Sequence, residues 1–228
     1  MTAEPKRNAG YRAAAMVEDG MAVGLGTGST VFFAMERLGE RIAGEGLSFT
    51  GIPTSYQAAI RARRYGIPLA GLDEYPELDV AIDGADQVDP ALNLIKGRGA
   101  AHLREKCVCD AAREVIIVVD PSKTVDTLSA PVPVEVLPFA LAGVSRRLSL
   151  LGAAPVLREG VKKDGPVVTD NGNFILDCDF GAIREPKGLE TAIAAIPGAL
   201  ECGLFTAYTE KITVIVGEKI GCRVVSLH

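Results

Sequence analysis

The sequence predicts an α/β protein: a parallel sheet covered by helices, then a smaller α+β domain. Three observations carry this expectation. Short, almost wholly apolar runs, "MAVGLG", "LDVAIDG" and "EVIIVVD", alternate with helical patterns, as strands buried on both faces do. Near Ala130 the character changes, with three prolines in the eight residues "PVPVEVLP" and an alternating apolar face. Beyond it the patterns run strand, helix, strand, strand, helix, strand, a split α+β order.

Taken in order, Pro5 to Val17 reads as an Ala-rich helix and "MAVGLG" as a short buried strand. "STVFFAMERLGERIAGEG" has apolar residues at Val31, Phe32, Met35, Leu38 and Ile42, which is helical spacing, and glycines end it. "LSFTGIPTS" is strand and turn. "SYQAAIRARRYG" is a helix with Ser55 as N-cap and Gly66 as its stop. "IPLAGL" reads as strand or loop, "LDVAIDG" as strand and "ALNLIKG" as another extended run. "AAHLREKCVCDAAR" is a helix and "EVIIVVD" the clearest buried strand. In the second domain "FALAGVSRRLSLLG" and "PKGLETAIAAIPG" are helices. "PVLREG" and "PVVTDNGNFILDCDF" are antiparallel strands with a turn at Asn171-Gly172, and "ALECGLF" is the last strand. The order is that of a ferredoxin-like domain. The expected division is a first domain over 1–130, completed by two apolar strands within 206–228, and a second domain over 131–205.

Composition narrows the function. A chain of 228 residues with 48% hydrophobic residues has room for a core and is not disordered. A net charge of -5, no Trp and 5% aromatics argue against a nucleic-acid binder. No apolar run reaches about 18 residues, so no membrane span is read. The N-terminal stretch lacks the apolar core of a signal peptide, so it is read as part of the fold and the expected location is the cytoplasm. Five cysteines, Cys107, Cys109, Cys178, Cys202 and Cys222, fit no disulfide framework. With only His102 and His228 beside them, they read as small buried hydrophobes and not as a zinc site.

Two constellations carry chemistry. "VGLGTGST" follows a strand and opens a helix, so glycines and helix amides, with the hydroxyls of Thr27, Ser29 and Thr30, make an anion pocket. A tight turn capped by Ser29 or Thr30 is the plainer reading, and the two can coexist. No lysine completes a nucleotide triphosphate loop, Ser29 stands where a dinucleotide fingerprint needs its third glycine, and "FTGIPTS" supplies no ribose-binding acid. A small phosphorylated metabolite fits better. The second constellation is Asp83 and Asp86 after a buried strand, Lys96 after "ALNLI", and Glu105 about two turns into the next helix. Ligand sites of parallel sheets lie beyond the carboxyl ends of strands. Magnesium would suit the carboxylates, with Lys96 as a competing cation. Proton abstraction beside a carbonyl suits the whole set: one carboxylate as base and a cation where negative charge develops, with no cofactor and no metal. Asp79 and Asp89 read as ordinary turn and surface acids.

"GLGTGST", "DGAD", "KGRGAAHLREK", "DPSK", "PVEVLP" and "VVTDNGNFILD", in that order over Lys6 to Phe205, resemble the type A ribose-5-phosphate isomerase family. The resemblance implies a cofactor-free aldose-ketose isomerase of the non-oxidative pentose phosphate pathway. It also implies a Rossmann-like first domain, a smaller α+β domain, and assembly as a homodimer or homotetramer. By the family pattern Glu105 matches the general base, Asp83 and Asp86 active-site acids near the sugar oxygens, and Lys96 the cation beside them. Thr27, Gly28, Ser29 and Thr30 match the substrate loop; Lys123 matches a site residue, and Lys6 a basic residue for the phosphate. Gly97, Arg98 and Gly99 fall in a loop the family usually writes with glycine at the position of Arg98. If that position needs positive φ, arginine there costs about 1 kcal/mol.

The implied route opens the furanose and passes through an enediolate. A non-catalytic sugar-phosphate sensor on a similar fold is the alternative. Only about 20 residues precede the first strand, little for a DNA-binding unit. Acyl transfer with Glu105 as nucleophile ranks third.

Overall fold

The computed structural model describes residues 3–227, and His228 lies outside them. The chain runs α1 (Glu4–Ala14), β1 (Ala22–Leu25), α2 (Val31–Glu45), β2 (Thr50–Pro53), α3 (Tyr56–Arg64), β3 (Leu78–Asp83), β4 (Gln87–Val88) and β5 (Leu94–Ile95). It continues with α4 (His102–Ala111), β6 (Ala112–Val119), β7 (Val132–Val136), α5 (Leu141–Leu150) and β8 (Ala154–Leu157). β9 (Phe174–Asp179), α6 (Pro186–Ala194), β10 (Ala199–Cys202), β11 (Leu204–Phe205), β12 (Ile212–Gly217) and β13 (Cys222–Val225) complete it. Two compact units result. The first takes the described residues of Met1–Ala85, Arg104–Thr124 and Tyr208–His228, and the second takes Asp86–Leu103 and Val125–Ala207.

In the first unit a six-stranded sheet has the order β13-β12-β6-β3-β1-β2. The inner pairings are parallel, and β13 alone runs antiparallel, against β12. β1 is buried at all of its residues, and β6 from Val115 onward, because helices cover both faces. That burial is why these strands read as unbroken apolar runs. The alanines of α1 (Ala9, Ala13, Ala14) let it lie close to α2, and both join Val23, Ile82, Ile116 and Ile215 in one core. α2 stops at Gly46 in the left-handed region, and Ser55 caps α3 by accepting from the Ala58 amide, as its sequence signals require. The C-terminal strands return to this sheet.

In the second unit the four strands β10-β7-β9-β8 are antiparallel throughout. Numbered within the unit this is the order 4-1-3-2, with α5 and α6 as the connecting helices, which is the ferredoxin-like arrangement. Val144, Leu148 and Ile193 of those helices share a core with Val132, Val134, Val136 and Leu176. Cys178 lies in this core, and burial, then the neighbouring Asp177 and Cys202, push its thiol up to about 12. It stays protonated and inert at neutral pH. None of the five cysteines forms a disulfide.

Four expectations are corrected. "ALNLIKG" supplies no strand of the main sheet: β5 pairs antiparallel with β4 and β11 in a separate three-stranded sheet. Too few residues separate β4 from β5 for a parallel crossover, so a hairpin is the available connection. For the same reason residues 86–103, expected in the first domain, group with the second unit, as do 125–130. "PVVT" is not a strand; the turn at Gly172 (φ 83) closes on itself through Thr169 and Asn173, and β9 starts only at Phe174. "ALECGLF" splits at Gly203 into β10 and β11, which belong to different sheets. No described helix is long and apolar enough to cross a membrane.

One buried carboxylate organises the small sheet. Glu135 on β7 is fully buried, and its Oε1 accepts from Thr169 Oγ1 (2.8 Å), Asn171 Nδ2 (3.0 Å) and Asn173 Nδ2 (2.8 Å). It thereby ties "PVEVLP" to "VVTDNGN". A hydrogen bond to a charged group contributes about 1.5–3 kcal/mol. Asn173→Ala is therefore expected to lower unfolding free energy by about that amount, read from urea denaturation; an unchanged midpoint would refute the role.

Candidate active site

The strand order turns back between β1 and β3: β2 lies to one side of β1, and β3 and its successors to the other. In such sheets the crevice at the carboxyl ends of those two strands is the ligand site. Here those ends carry the glycine turn and Asp83. The Gly26 amide donates to Ile82 O at 2.9 Å. A Cβ on Gly26 would lie 2.1 Å from Asp83 Oδ1, so only glycine lets the buried carboxylate lie against the loop. Asp83 Oδ1 also accepts from the Gly84 amide at 2.7 Å.

The rest of the loop is fixed by hydroxyls. Thr27 Oγ1 lies 2.6 Å from Ser55 Oγ and 3.0 Å from Thr54 Oγ1. Gly28 has φ 144, a conformation that favours glycine. Thr30 is buried at the N-cap of α2, but its side chain makes no capping bond, and the first turn of α2 holds no acid. The capping alternative is thus set aside for Thr30, and the helix dipole there faces no protein carboxylate from its own first turn. Ser29 is exposed and its Oγ accepts from Lys6 Nζ at 3.0 Å.

Lys123 sits in the short turn Pro121–Lys123 that follows β6. Asp120 caps this turn through Ser122 N (3.0 Å) and Ser122 Oγ. Burial by itself would raise the Asp120 carboxyl. The Ser122 bonds and the charges of Lys123 and Lys6 outweigh it and hold the group below its usual value. Both lysines therefore act on one carboxylate, while Lys6 also holds the loop serine. Glu105 is buried in the first turn of α4, not two turns in, because the helix begins at His102. Val108, one turn on, fills the space a side chain on Gly24 would need, so this face of α4 packs on β1.

In the second unit the β4–β5 hairpin sets Asp86 and Lys96. The Asp86 amide donates to Ile95 O at 2.7 Å, and the Lys96 amide to Gly203 O at 2.8 Å. Lys96 is buried with its Nζ 5.5 Å from the centre of the Phe205 ring, a cation–π contact. The Arg98 amide donates to Asp86 Oδ2 at 3.0 Å. The left-handed positions of this loop are Gly97 (φ 103) and Ala100 (φ 56), not Arg98, so the anticipated strain at Arg98 does not arise. Gly99 is exposed. The structure thus gathers Thr27 to Thr30, Asp83, Glu105, Lys6 and Lys123 in one unit, and Asp86, Lys96, Gly97, Arg98 and Gly99 in the other. Sequence reasoning missed Phe205 and Arg158, whose guanidinium reaches the carbonyls of Gly97 (3.0 Å) and Arg98 (3.1 Å). An arginine at the end of an exposed strand carries no local signal of such a role. Among the described residues Glu190, Glu201 and Cys202 come within 4.8 Å of one another, the spacing of a metal site. Glu190 already accepts from Thr206, and Glu201 from the Cys202 amide.

A sequence model of the family described as Ribose 5-phosphate isomerase A (phosphoriboisomerase A) matches residues 50–221. The chain belongs to that family. It is 60% identical over 224 residues to "Ribose-5-phosphate isomerase A" of Methanoregula boonei, covering 98% of this chain and 94% of that one. Ribose 5-phosphate isomerase A from Methanocaldococcus jannaschii has a solved structure that superposes with a TM-score of 0.93 at 44% identity, over 99% of this chain and 100% of that one. A solved D-ribose-5-phosphate isomerase in complex with phospho-erythronic acid gives 0.95 at 45% identity, over 99% of each chain. The Rossmann-like and small α+β parts are those of the family.

The Asp120 carboxyl yields a pH prediction. Its folded pKa lies below the ordinary 3.8, so its stabilisation is fully present above 3.8 and is lost as pH falls through the depressed value. Asp120→Asn keeps a capping oxygen but removes its charge, and is expected to cost about 1 kcal/mol at neutral pH, the difference between charged and neutral hydrogen bonds. The gap from the parent should close in acid, and denaturation curves at several pH values give the comparison. A gap that persists in acid would show that charge plays no part.

Proposed function

We propose that the chain interconverts ribose 5-phosphate and ribulose 5-phosphate through an enediolate, using Glu105, Asp83, Asp86 and Lys96. The observation that carries this reading is the contact of Asp83 with the phosphate-loop backbone at Gly26. One loop then serves both a carboxylate and a basic, hydroxyl-rich end. Asp83 assists transfer of the ring-hydroxyl proton that opens the furanose. Glu105 takes the C2 proton, and the C–H electron pair forms the C1–C2 double bond while O1 becomes negative. Lys96 stabilises that charge. Return of the proton to C1, with passage of the O2 proton to O1, gives the ketose. Asp86 orients substrate hydroxyls, with the Arg98 amide beside it and Gly97 and Gly99 flanking that residue in the loop. Thr27, Gly28, Ser29, Thr30, Lys6 and Lys123 hold the phosphate, so remote binding energy orients the reacting carbons. No metal or cofactor takes part in this route. The phospho-erythronic acid bound by the related isomerase supports it, because a phosphorylated sugar acid joins a phosphate to a planar anionic group, the charge pattern of the enediolate.

Glu105→Gln keeps the shape and removes the base. Its kcat is expected to fall about 100 to 10,000-fold, with KM little changed and C2-proton exchange with solvent falling in parallel. Assays run in chelator measure all three. Exchange at the parent rate would move the base to another residue.

We also infer a cytoplasmic homodimer or homotetramer. Five cysteines, none of them in a disulfide, support the reducing location. The C-terminal apolar stretch is used up inside the chain as β12 and β13, so it does not argue for assembly. Phe139 (96% exposed) and Val161 (89% exposed), with Leu150 and Val156, leave apolar surface on the small unit, and a second copy of the chain is the partner we infer. Sedimentation at micromolar concentration should show a species at least twice 23.9 kDa; a single monomer peak would refute assembly.

A further inference from the structure

We propose that Arg158, held by Asp177, is a positioning residue that sets the Asp86 carboxylate by fixing one peptide plane in the loop after Lys96. The inference rests on the site reading above. Arg158 follows β8, and its amide donates to Ile175 O at 2.9 Å across the ladder. Asp177 is two residues further along β9, on the same face. The pair is bidentate: Arg158 Nε donates to Asp177 Oδ2 at 2.8 Å, and Nη2 donates to Oδ1. Such a fork fixes the guanidinium plane, as a lysine would not. The side chain is only 16% exposed, so little solvent competes for it.

With its plane fixed, Arg158 directs Nη1 at two successive carbonyls, Gly97 O at 3.0 Å and Arg98 O at 3.1 Å. The first of these shares its peptide unit with the Arg98 amide. A trans peptide is rigid, with C=O and N–H pointing opposite ways. Holding the carbonyl toward Arg158 therefore points the N–H away from it, and that N–H donates to Asp86 Oδ2 at 3.0 Å. The chain of constraint is Asp177, Arg158, the Gly97–Arg98 peptide, Asp86. Gly97 is the flexible joint that needs holding: its φ is 103, and a Cβ there would meet His102 Nδ1 at 2.7 Å. Without Arg158 the plane has the Ala100 amide, at 3.0 Å from Gly97 O, as its remaining hold on that carbonyl. Arg158 touches no reacting atom in this scheme.

The test uses the full chain and ribose 5-phosphate, with Arg158→Ala, Arg158→Lys, Asp177→Asn and the double variant Arg158→Ala/Asp177→Asn, beside Glu105→Gln. Misplacement by about 1 Å costs on the order of 100-fold. Arg158→Ala should lower kcat about 10 to 100-fold and change KM much less, since the phosphate loop is anchored elsewhere. Added guanidinium ion should restore part of that rate, which a purely structural loss would not show. Asp177→Asn should lower kcat less, and the double variant no more than Arg158→Ala alone. Parent-like kcat in Arg158→Ala, or additive losses in the double variant, overturns the positioning role. If Arg158→Ala does not fold, Arg158→Lys decides: a folded variant with parental kcat overturns the proposal, and a lowered kcat at parental KM supports it. Parental turnover in Glu105→Gln instead overturns the site reading on which the proposal stands.

Discussion

The arrangement at the carboxyl edge of the parallel sheet depends on a buried carboxylate lying against bare backbone. Asp83 occupies the space where any side chain on Gly26 would stand. Were the two pushed apart, the end of β3 and the loop after β1 would separate at the place where the strand order turns back. The contact also gives the loop a polarity. At Gly26 it meets a carboxylate; at Ser29 it meets the Lys6 ammonium. Three residues span on the order of 10 Å at most, so opposite electrostatic demands are met within one turn. A substrate that is uncharged at its reacting end and dianionic at the other fits that gradient, and an anion bound at the wrong end would be repelled by Asp83.

The acids are held in different ways, and the difference accords with the separate roles we propose for them. Asp83 closes a strand and is braced by the next amide. Asp86 is braced by an amide twelve residues away, in a loop that is itself clamped. Glu105 stands on a helix whose packing against β1 leaves it little freedom. A base must meet a particular carbon, so the most rigid support suits it, whereas hydroxyl groups accept a carboxylate over a wider range of geometry. Lys96 is fixed from two sides, by its amide at Gly203 and by the Phe205 ring below its ammonium. The cation thus has a defined place, which suits the charge-stabilising role we propose for it.

The legible parts of the fold were those decided locally. Ser55 and Gly46 act through groups a few residues away, and β1 and β6 advertise burial on both faces through composition alone. The split order of the small domain also follows from succession. Non-local pairing was not legible. Leu94 and Ile95 look the same in a hairpin as in a parallel strand, and their partners, β4 just before them and β11 over a hundred residues on, assign the sheet. The same limit applies to Glu135, whose three donors lie over thirty residues further along the chain, at 169–173. Asp83, Asp86 and Lys96 were visible as residue types at strand ends, and Glu105 on the helix that follows. Arg158 was not, because its role lies in which carbonyls it reaches.

Arg98 shows how side chain and backbone divide the work in that loop. Its guanidinium is 78% exposed and lies 3.9 Å from Asp86 Oδ1, a loose surface pair that contributes little in water. Its amide, at 3.0 Å from the other oxygen, is the working contact, and every residue except proline has one. The left-handed angles fall on Gly97 and Ala100, so position 98 demands no special conformation. The loop therefore keeps its hold on Asp86 whatever side chain stands at 98, provided the peptide before it stays fixed. A glycine there would retain the amide and remove only the exposed cation. The constraint has moved from the residue that looks unusual in the sequence to the arginine sixty residues away that grips the backbone.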